Sequence, residues 1–154
     1  MKILMIAPEP FFQPRGTPIS VYQRLLALSS LNHQVDLLTY HIGEDVDISG
    51  VNIIRIPAVP FIRNSKPGPS SAKLILDPIL LLCAIYLLIT NRYDVIHSHE
   101  EASFFAAPLA KLFGTKHLYD MHSSLPKQLK SFNFWGNFLF TSIFKLFEEM
   151  VLRL

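Results

Sequence analysis

Two histidines stand where two strand-like runs of the chain end. His99 closes the run that begins at Asp94, and His122 closes the run that begins at Lys116. An amphipathic helical stretch separates the runs, so they form a βαβ unit whose right-handed crossover makes the two strands parallel. Both imidazoles are then expected at the carboxyl edge of one sheet, which is where open α/β sheets bind ligands.

A loop rich in proline should reach the same edge after the first strand, Ile3–Ala7. It ends in Arg15, Gly16 and Thr17, and we predict Thr17 as the N-cap of the following helix. A glycine lets the backbone approach a ligand closely, and free N–H groups at a helix start favour a phosphate. The alternative is a turn that needs glycine only for its dihedral angles, since no G-x-G-x-x-G or Walker pattern is present.

Metal ligation is a second chemistry that these residue types suggest. His97 and His99 share one face of an extended strand, and Glu100, Asp120 and His122 are expected nearby. The set is incomplete for a metal centre, so we predict no metal. We instead predict His97 in the core, His99 beyond the strand end and free to face a ligand, and Asp120 as a group that orients its neighbours.

Other polar pairs are weaker candidates for catalysis. Glu100–Glu101 and Glu148–Glu149 are adjacent residues, which diverge by about 100° on a helix, so we expect capping charges and solvated faces. Ser123–Ser124 lacks the G-x-S-x-G elbow of a hydrolase nucleophile.

Composition limits the class of protein. The 154 residues suffice for one domain with a full core, half of them are hydrophobic, and the mean hydropathy is +0.31. A net charge of +2 without a basic, aromatic-rich cluster does not indicate a nucleic-acid partner. The single cysteine, Cys83, fits a reducing cytoplasm, and the short apolar start is not typical of a signal peptide. The chain stops within a helical pattern, from which we expect a truncated domain.

Five strand-like runs alternate with helical stretches, which predicts an α/β fold with a doubly wound, mostly parallel sheet. The second and third strands are expected at 35–40 and 51–56. Their connection is short for a parallel crossover, so the spacing leaves their relative direction open. Pro108 predicts either a kink in the helix drawn at 101–113 or a later start for it.

Two apolar segments allow a membrane reading. Residues 73–90 fall short of a clean span and contain Asp77–Pro78, so we favour a buried crossover helix that starts at this pair. The aromatic stretch 132–147, with Lys127, Lys130 and Lys145 around it, suits either an anionic membrane surface or a second domain.

Taken together, several segments resemble the acceptor-side domain of family 4 glycosyltransferases. They are the start Met1–Ala7, the glycine loop, the strand Asp94–His99, the segment Leu109–Gly114 and the strand ending in His122. The resemblance covers nearly the whole chain and depends on the ensemble of motifs. It implies a GT-B architecture of two Rossmann-like domains facing across a cleft, with residues 1–154 as the N-terminal half, parallel strands throughout, and the C-terminal half absent.

The resemblance also implies roles for individual residues. Gly16 and Thr17 would lie near the donor phosphate, although the family often has two consecutive glycines there. His122 would be the catalytic histidine that reaches the donor sugar. The cleft would be lined by four further residues: Arg15, His99, Glu100 and Asp120.

The implied function is the acceptor half of a retaining glycosyltransferase of the hexosyltransferase type. It would move a sugar from a nucleotide-sugar to a glycan, lipid or other acceptor, without a metal or other cofactor, in the cytoplasm or peripherally on the inner face of the membrane. The missing C-terminal domain would bind the donor, so the 154 residues alone would be inactive. The alternatives are a non-catalytic membrane-docking subunit of a separate donor-binding chain and a small metal hydrolase.

Overall fold

A five-stranded parallel sheet is the frame of the domain. The computed structural model describes residues 1–14, 16–63, 70–121 and 149. The strands are β1 (Lys2–Ala7), β2 (Gln34–Thr39), β3 (Val51–Arg55), β4 (Val95–His99) and β5 (Lys116–Asp120). They lie in the order β3-β2-β1-β4-β5, and each neighbouring pair is parallel. The predicted fold class is confirmed, and the open direction of the third strand is settled as parallel.

Helices cover both faces of this sheet. They are α1 (Gly16–Ser30), α2 (Ser71–Thr90) and α3 (Ser103–Phe113), with a single 3₁₀ turn at Glu100–Ala102 before α3. Val21 and Leu25 of α1 pack with Met5 in one apolar cluster, whereas α2 and α3 pack with Leu4 and Ile6 in another. Because successive side chains of β1 point to opposite, helix-covered faces, the strand is apolar and buried from Ile3 to Ala7, after a half-buried Lys2.

The start of α2 differs from the sequence prediction. The helix begins at Ser71, and the Ser70 hydroxyl caps it by accepting a hydrogen bond from the Lys73 amide at 3.4 Å. Pro78 therefore lies inside the helix, on its exposed side, where water can bond the carbonyl that a proline leaves without a donor. Asp77 does not cap the helix, because its carboxylate points inward and accepts a hydrogen bond from the Tyr40 hydroxyl.

The predicted burial of α2 holds for only one side of the helix. Its inner face is buried in the core through Leu76, Leu80, Ala84, Leu87 and Leu88. Its outer face leaves large apolar side chains exposed. By length and composition alone, α2 is the one helix of the described residues that could cross a membrane.

Strand and helix ends on the β4–α3 side shift by a few residues. β4 runs through His99, one residue further than predicted, because its ladder with β5 pairs His99 with Asp120. α3 begins at Ser103, so the later start is the alternative that the structure shows, although Pro108 still lies within the helix. Gly114 ends α3 in the left-handed conformation, with a φ of 65°.

Arg55, at the carboxyl end of β3, holds the proline-rich loop in place. Its guanidinium donates to the carbonyls of Phe11, Ile42 and Glu44 and pairs with Asp45 at 2.8 Å. Gly43 lies so close to this loop that a Cβ would stand 2.0 Å from the Phe11 carbonyl oxygen. The loop that leads into α1 is therefore fixed against the carboxyl edge of the sheet.

Candidate functional site

A histidine–carboxylate cluster occupies the carboxyl ends of β4 and β5. We use this name for His97, His99 and Asp120. Asp120 Oδ2 lies 3.3 Å from His99 Nδ1 and 3.8 Å from His97 Nε2. The two imidazole rings stack with centroids 4.8 Å apart and planes inclined by 21°. The cluster projects from the α1 side of the sheet, because His97 is paired with Met5, which packs with α1.

Arg24 of α1 joins this cluster. Its Nε lies 2.5 Å from Asp120 Oδ2, and its terminal nitrogen donates to Asp120 Oδ1 at 3.0 Å. This two-point contact is the geometry in which a guanidinium binds a carboxylate most strongly. Arg24 thereby ties the helix that starts at the glycine loop to the end of β5. Sequence reasoning did not identify Arg24, because 96 residues separate it from Asp120 and no local pattern links them.

Burial keeps His97 neutral near pH 7. Burial lowers the pKa of His97 to about 4, and the nearby Arg24 cation lowers it as well, while Asp120 opposes the shift. Across the sheet, burial also lowers the pKa of His117, whose Nε2 lies 2.8 Å from Ser98 Oγ. The imidazoles of His97 and His117 are therefore suited to hydrogen bonding rather than to carrying charge.

His99 does not lie where the sequence placed it. It was expected one step beyond the strand with its side chain free to face a ligand, yet it is the last residue of β4 and is 0% exposed. The reason is that the ladder between β4 and β5 continues to the pair of His99 and Asp120, so His99 remains within the sheet. His97 lies in the core as predicted, at 6% exposed. The role of His99 in lining the cleft stays a prediction.

A second polar cluster lies on the opposite, α2 side of the same edge. Lys73 forms an ion pair with Glu101, and both side chains are largely buried. The expectation of a solvated Glu101 is therefore wrong. Asp77 lies close by, and burial together with the Glu101 charge raises its pKa to about 7. Burial and Glu101 likewise raise the pKa of Glu100, which has a φ of 46° at the turn after His99.

The histidine–carboxylate cluster has the composition of a partial metal site. One ligand atom from each of His97, His99 and Asp120 lies within 4.8 Å of the others. The Arg24 guanidinium, however, already places a positive charge against Asp120 Oδ2. A divalent cation there would have to displace this contact or accept its repulsion. The arrangement is thus better suited to an internal ion pair than to a metal, and the metal-free prediction stays a prediction.

The glycine loop enters α1 at Gly16. This residue has a φ of 20° and is exposed, and a Cβ there would meet no atom of the described residues within 4 Å beyond its chain neighbours and its own helix turn. Thr17 follows within the helix rather than preceding it as an N-cap. Gly16 precedes Arg24 by eight residues, or about 12 Å along the axis. The helix start and the histidine–carboxylate cluster are therefore neighbouring but separate features.

Several predicted residues lie outside the part of the chain that the structure describes. They include the candidate catalytic residue His122, the cleft residue Arg15, and Ser123–Ser124. The aromatic stretch 132–147 also lies outside it, and of the final helical pattern the structure describes only Glu149, which is helical and exposed. Predictions about these residues are untested by the structure.

Comparison with known proteins finds a matching family profile and solved structures of similar fold. The sequence profile described as Glycosyltransferase Family 4 matches residues 14–153. The structure is similar to sucrose-phosphate synthase from Thermosynechococcus elongatus, with a TM-score of 0.67 and 17% sequence identity. That match covers 97% of this chain but 39% of the synthase, so the chain spans well under half of that relative. No curated protein matches the chain.

Proposed function

The chain belongs to glycosyltransferase family 4, and from this premise we propose that it is the acceptor-side domain of a retaining enzyme. The enzyme transfers a hexose from a nucleotide-sugar to a glycan, lipid or other acceptor. A second Rossmann-like domain binds most of the donor, and the reaction takes place across the cleft between the two. The N-terminal Rossmann-like half of a GT-B fold, which this structure has, supports that arrangement.

The open helix start at Gly16 is the observation that carries the proposal. A Cβ at Gly16 would meet no atom of the described residues within 4 Å outside its chain neighbours and its own helix turn, which leaves space next to the backbone for a ligand. N–H groups at the start of a 15-residue helix carry a partial positive charge, which favours a phosphate. In the proposal, the amides of Gly16 and Thr17 contact the donor diphosphate, and Arg15 lies beside them.

In the proposal, the histidine–carboxylate cluster holds the carboxyl end of β5 in place, next to the proposed catalytic residue. Asp120 precedes the proposed catalytic histidine, His122, by two residues, and Arg24 fixes Asp120 from α1. Anchoring the end of β5 in this way holds His122 at a set distance from the donor sugar. Positioning of this kind supplies a large part of the barrier reduction in group transfer. His99 and Glu100 lie at the adjoining end of β4, beside the acceptor.

We further propose that the transfer needs neither a metal nor another cofactor. Helix N–H groups and the donor-binding domain neutralise the leaving diphosphate, while Arg24 occupies the carboxylate that a metal would need. The protein acts in the cytoplasm, next to the membrane when the acceptor is a lipid. A free thiol at Cys83 is consistent with that compartment.

Substitution of Gly16 by valine tests the donor-binding role. A branched side chain should fill the space that the diphosphate occupies, since a Cβ there meets no described residue beyond the local backbone within 4 Å. We expect the full-length protein to lose binding of UDP-glucose or GDP-mannose, whichever it binds, by about tenfold or more, since several charge-assisted hydrogen bonds are lost. Isothermal titration calorimetry measures the loss.

Gly114→Val is the matched control. Gly114 also has a positive φ and no neighbour within 4 Å of a Cβ, but it ends α3 at the opposite edge of the sheet. Both variants should lose some stability through backbone strain, and only Gly16→Val should lose donor binding. Equal donor affinity in the two variants would contradict the proposed role of Gly16.

A further inference from the structure

The helix α2 has its polarity reversed relative to a surface helix of a soluble domain. Its two charged residues, Lys73 and Asp77, point inward, where they contact Glu101 and Tyr40. Its outward positions carry no charge. Surface helices normally place charged residues outward and apolar residues inward, so this helix faces something other than water.

The outward side of α2 forms one continuous apolar face, which we call the α2 face. Its large side chains recur at helical spacing and are 52–70% exposed: Leu74, Ile75, Leu82, Tyr86 and Ile89. From Leu74 to Ile89 the face is about 22 Å long. An exposed apolar patch of this continuity marks an interaction surface. This face is separate from the carboxyl edge that carries the candidate site, because it lies along the side of the sheet.

We propose that the α2 face docks on the surface of an anionic lipid bilayer. The helix lies on the membrane and does not span it, because its inner face belongs to the core of the domain. Interfacial helices combine an apolar face with a polar one, and here the folded domain takes the place of the polar face. Tyr86 suits the headgroup region, since its ring is apolar and its hydroxyl is polar.

Charge favours a bilayer over a second copy of the chain. Near the amino ends of β4 and β5, three exposed cations of the described residues outnumber the one exposed carboxylate, Asp94: Arg92 after α2, Lys111 in the last turn of α3 and Lys116 at the start of β5. Anionic headgroups attract such cations. In a symmetric dimer the α2 face would meet itself, and it offers no acidic side chain to Arg92 or Lys111.

Docking by this face leaves the site edge free. The strands run parallel and α2 returns the chain from the end of β3 to the start of β4, so the helix axis runs along the strands. The carboxyl edge, with Gly16 and the histidine–carboxylate cluster, then faces sideways along the membrane. This inference rests on the packing of α2 and not on the proposed function.

Vesicle co-sedimentation of the full-length protein tests the docking. The vesicles contain phosphatidylcholine with or without 30% phosphatidylglycerol, at low and high salt. We expect binding that requires phosphatidylglycerol and weakens with salt. The double variant Leu82→Glu, Ile89→Glu should bind less by on the order of tenfold or more, since it removes apolar burial and adds repulsion.

The control carries the same chemical change on the other side of the sheet. Ile19→Glu, Leu26→Glu alters two exposed apolar residues of α1 and should bind vesicles as the unmodified chain does. All four substituted side chains are exposed, so both variants should fold, and circular dichroism verifies that they do. Equal losses in the two variants would overturn the proposal. So would an unmodified chain that ignores vesicles but forms a dimer that only the α2 variant disrupts. Loss of binding in Trp135→Ala, Phe138→Ala with retention in the α2 variant would assign docking to the aromatic stretch and overturn it too.

Discussion

Replacing Lys73 by methionine should lower the free energy of unfolding by about 3 kcal/mol, as removal of one partner of a buried ion pair does. Lys73 is 8% exposed and pairs with Glu101, while Asp77 lies close by. Burial works against its charge, yet the Glu101 carboxylate and hydrogen bond raise the pKa of Lys73 overall. Without this cation, buried carboxylates are left together, and chemical denaturation at pH 8 should measure the loss.

The loss should shrink as the pH falls. The pKa of Asp77 is about 7 in the folded protein, above its unfolded value, so folding takes up a proton there and this residue's contribution falls as pH rises. Removing Lys73 raises the pKa of Asp77 further, so the loss of stability with rising pH continues to higher pH. The deficit of Lys73→Met should therefore be smaller at pH 5 than at pH 8. The control is Lys111→Met, at an exposed position on α3, which should change the free energy of unfolding by less than about 0.5 kcal/mol. A stability loss in Lys73→Met that does not change with pH would contradict the account.

Replacing Asp120 by asparagine should lower the free energy of unfolding by about 2–3 kcal/mol, less than for a fully buried pair, because the Arg24 side chain is 36% exposed. The carboxylate receives two contacts from Arg24 and lies 3.3 Å from His99. Asparagine keeps the shape but cannot offer two anionic oxygens to the guanidinium. Denaturation at pH 7 measures the change.

Asp45→Asn is the matched control for Asp120→Asn. Asp45 also pairs with an arginine, Arg55, but its side chain is 87% exposed. Exposed pairs contribute at most about 1 kcal/mol, so this variant should remain close to the unmodified protein. Similar losses in the two variants would show that Arg24 does not anchor the end of β5.

The parallel sheet could be predicted because its signals are local. The apolar run of β1, the run ending at His99 and the glycine after α3 each indicate an element without knowledge of its neighbours. Because a right-handed helical crossover joins β4 to β5, these strands are parallel, and their ends can be predicted to lie at the same carboxyl edge.

The features that escaped prediction depend on distant partners. Asp77–Pro78 has the form of a helix start. In the structure, however, the Asp77 carboxylate accepts a hydrogen bond from the hydroxyl of Tyr40, the residue that follows β2. His99 is buried by its ladder position opposite Asp120, which no neighbouring residue encodes. The sidedness of α2 was hidden because apolar residues surround the helix, so the sequence does not mark which face packs.

Transfer of a sugar by the full-length protein is the measurement that tests the central claim most directly. The protein is incubated with UDP-glucose or GDP-mannose and a lipid or glycan extract, and released nucleoside diphosphate is quantified. We predict release that depends on the acceptor, persists in EDTA, is lost in Gly16→Val and is absent from the 154-residue chain alone. The product should retain the anomeric configuration of the donor by NMR. Acceptor-dependent release that EDTA abolishes, an inverted product, or no release from either donor would contradict the account.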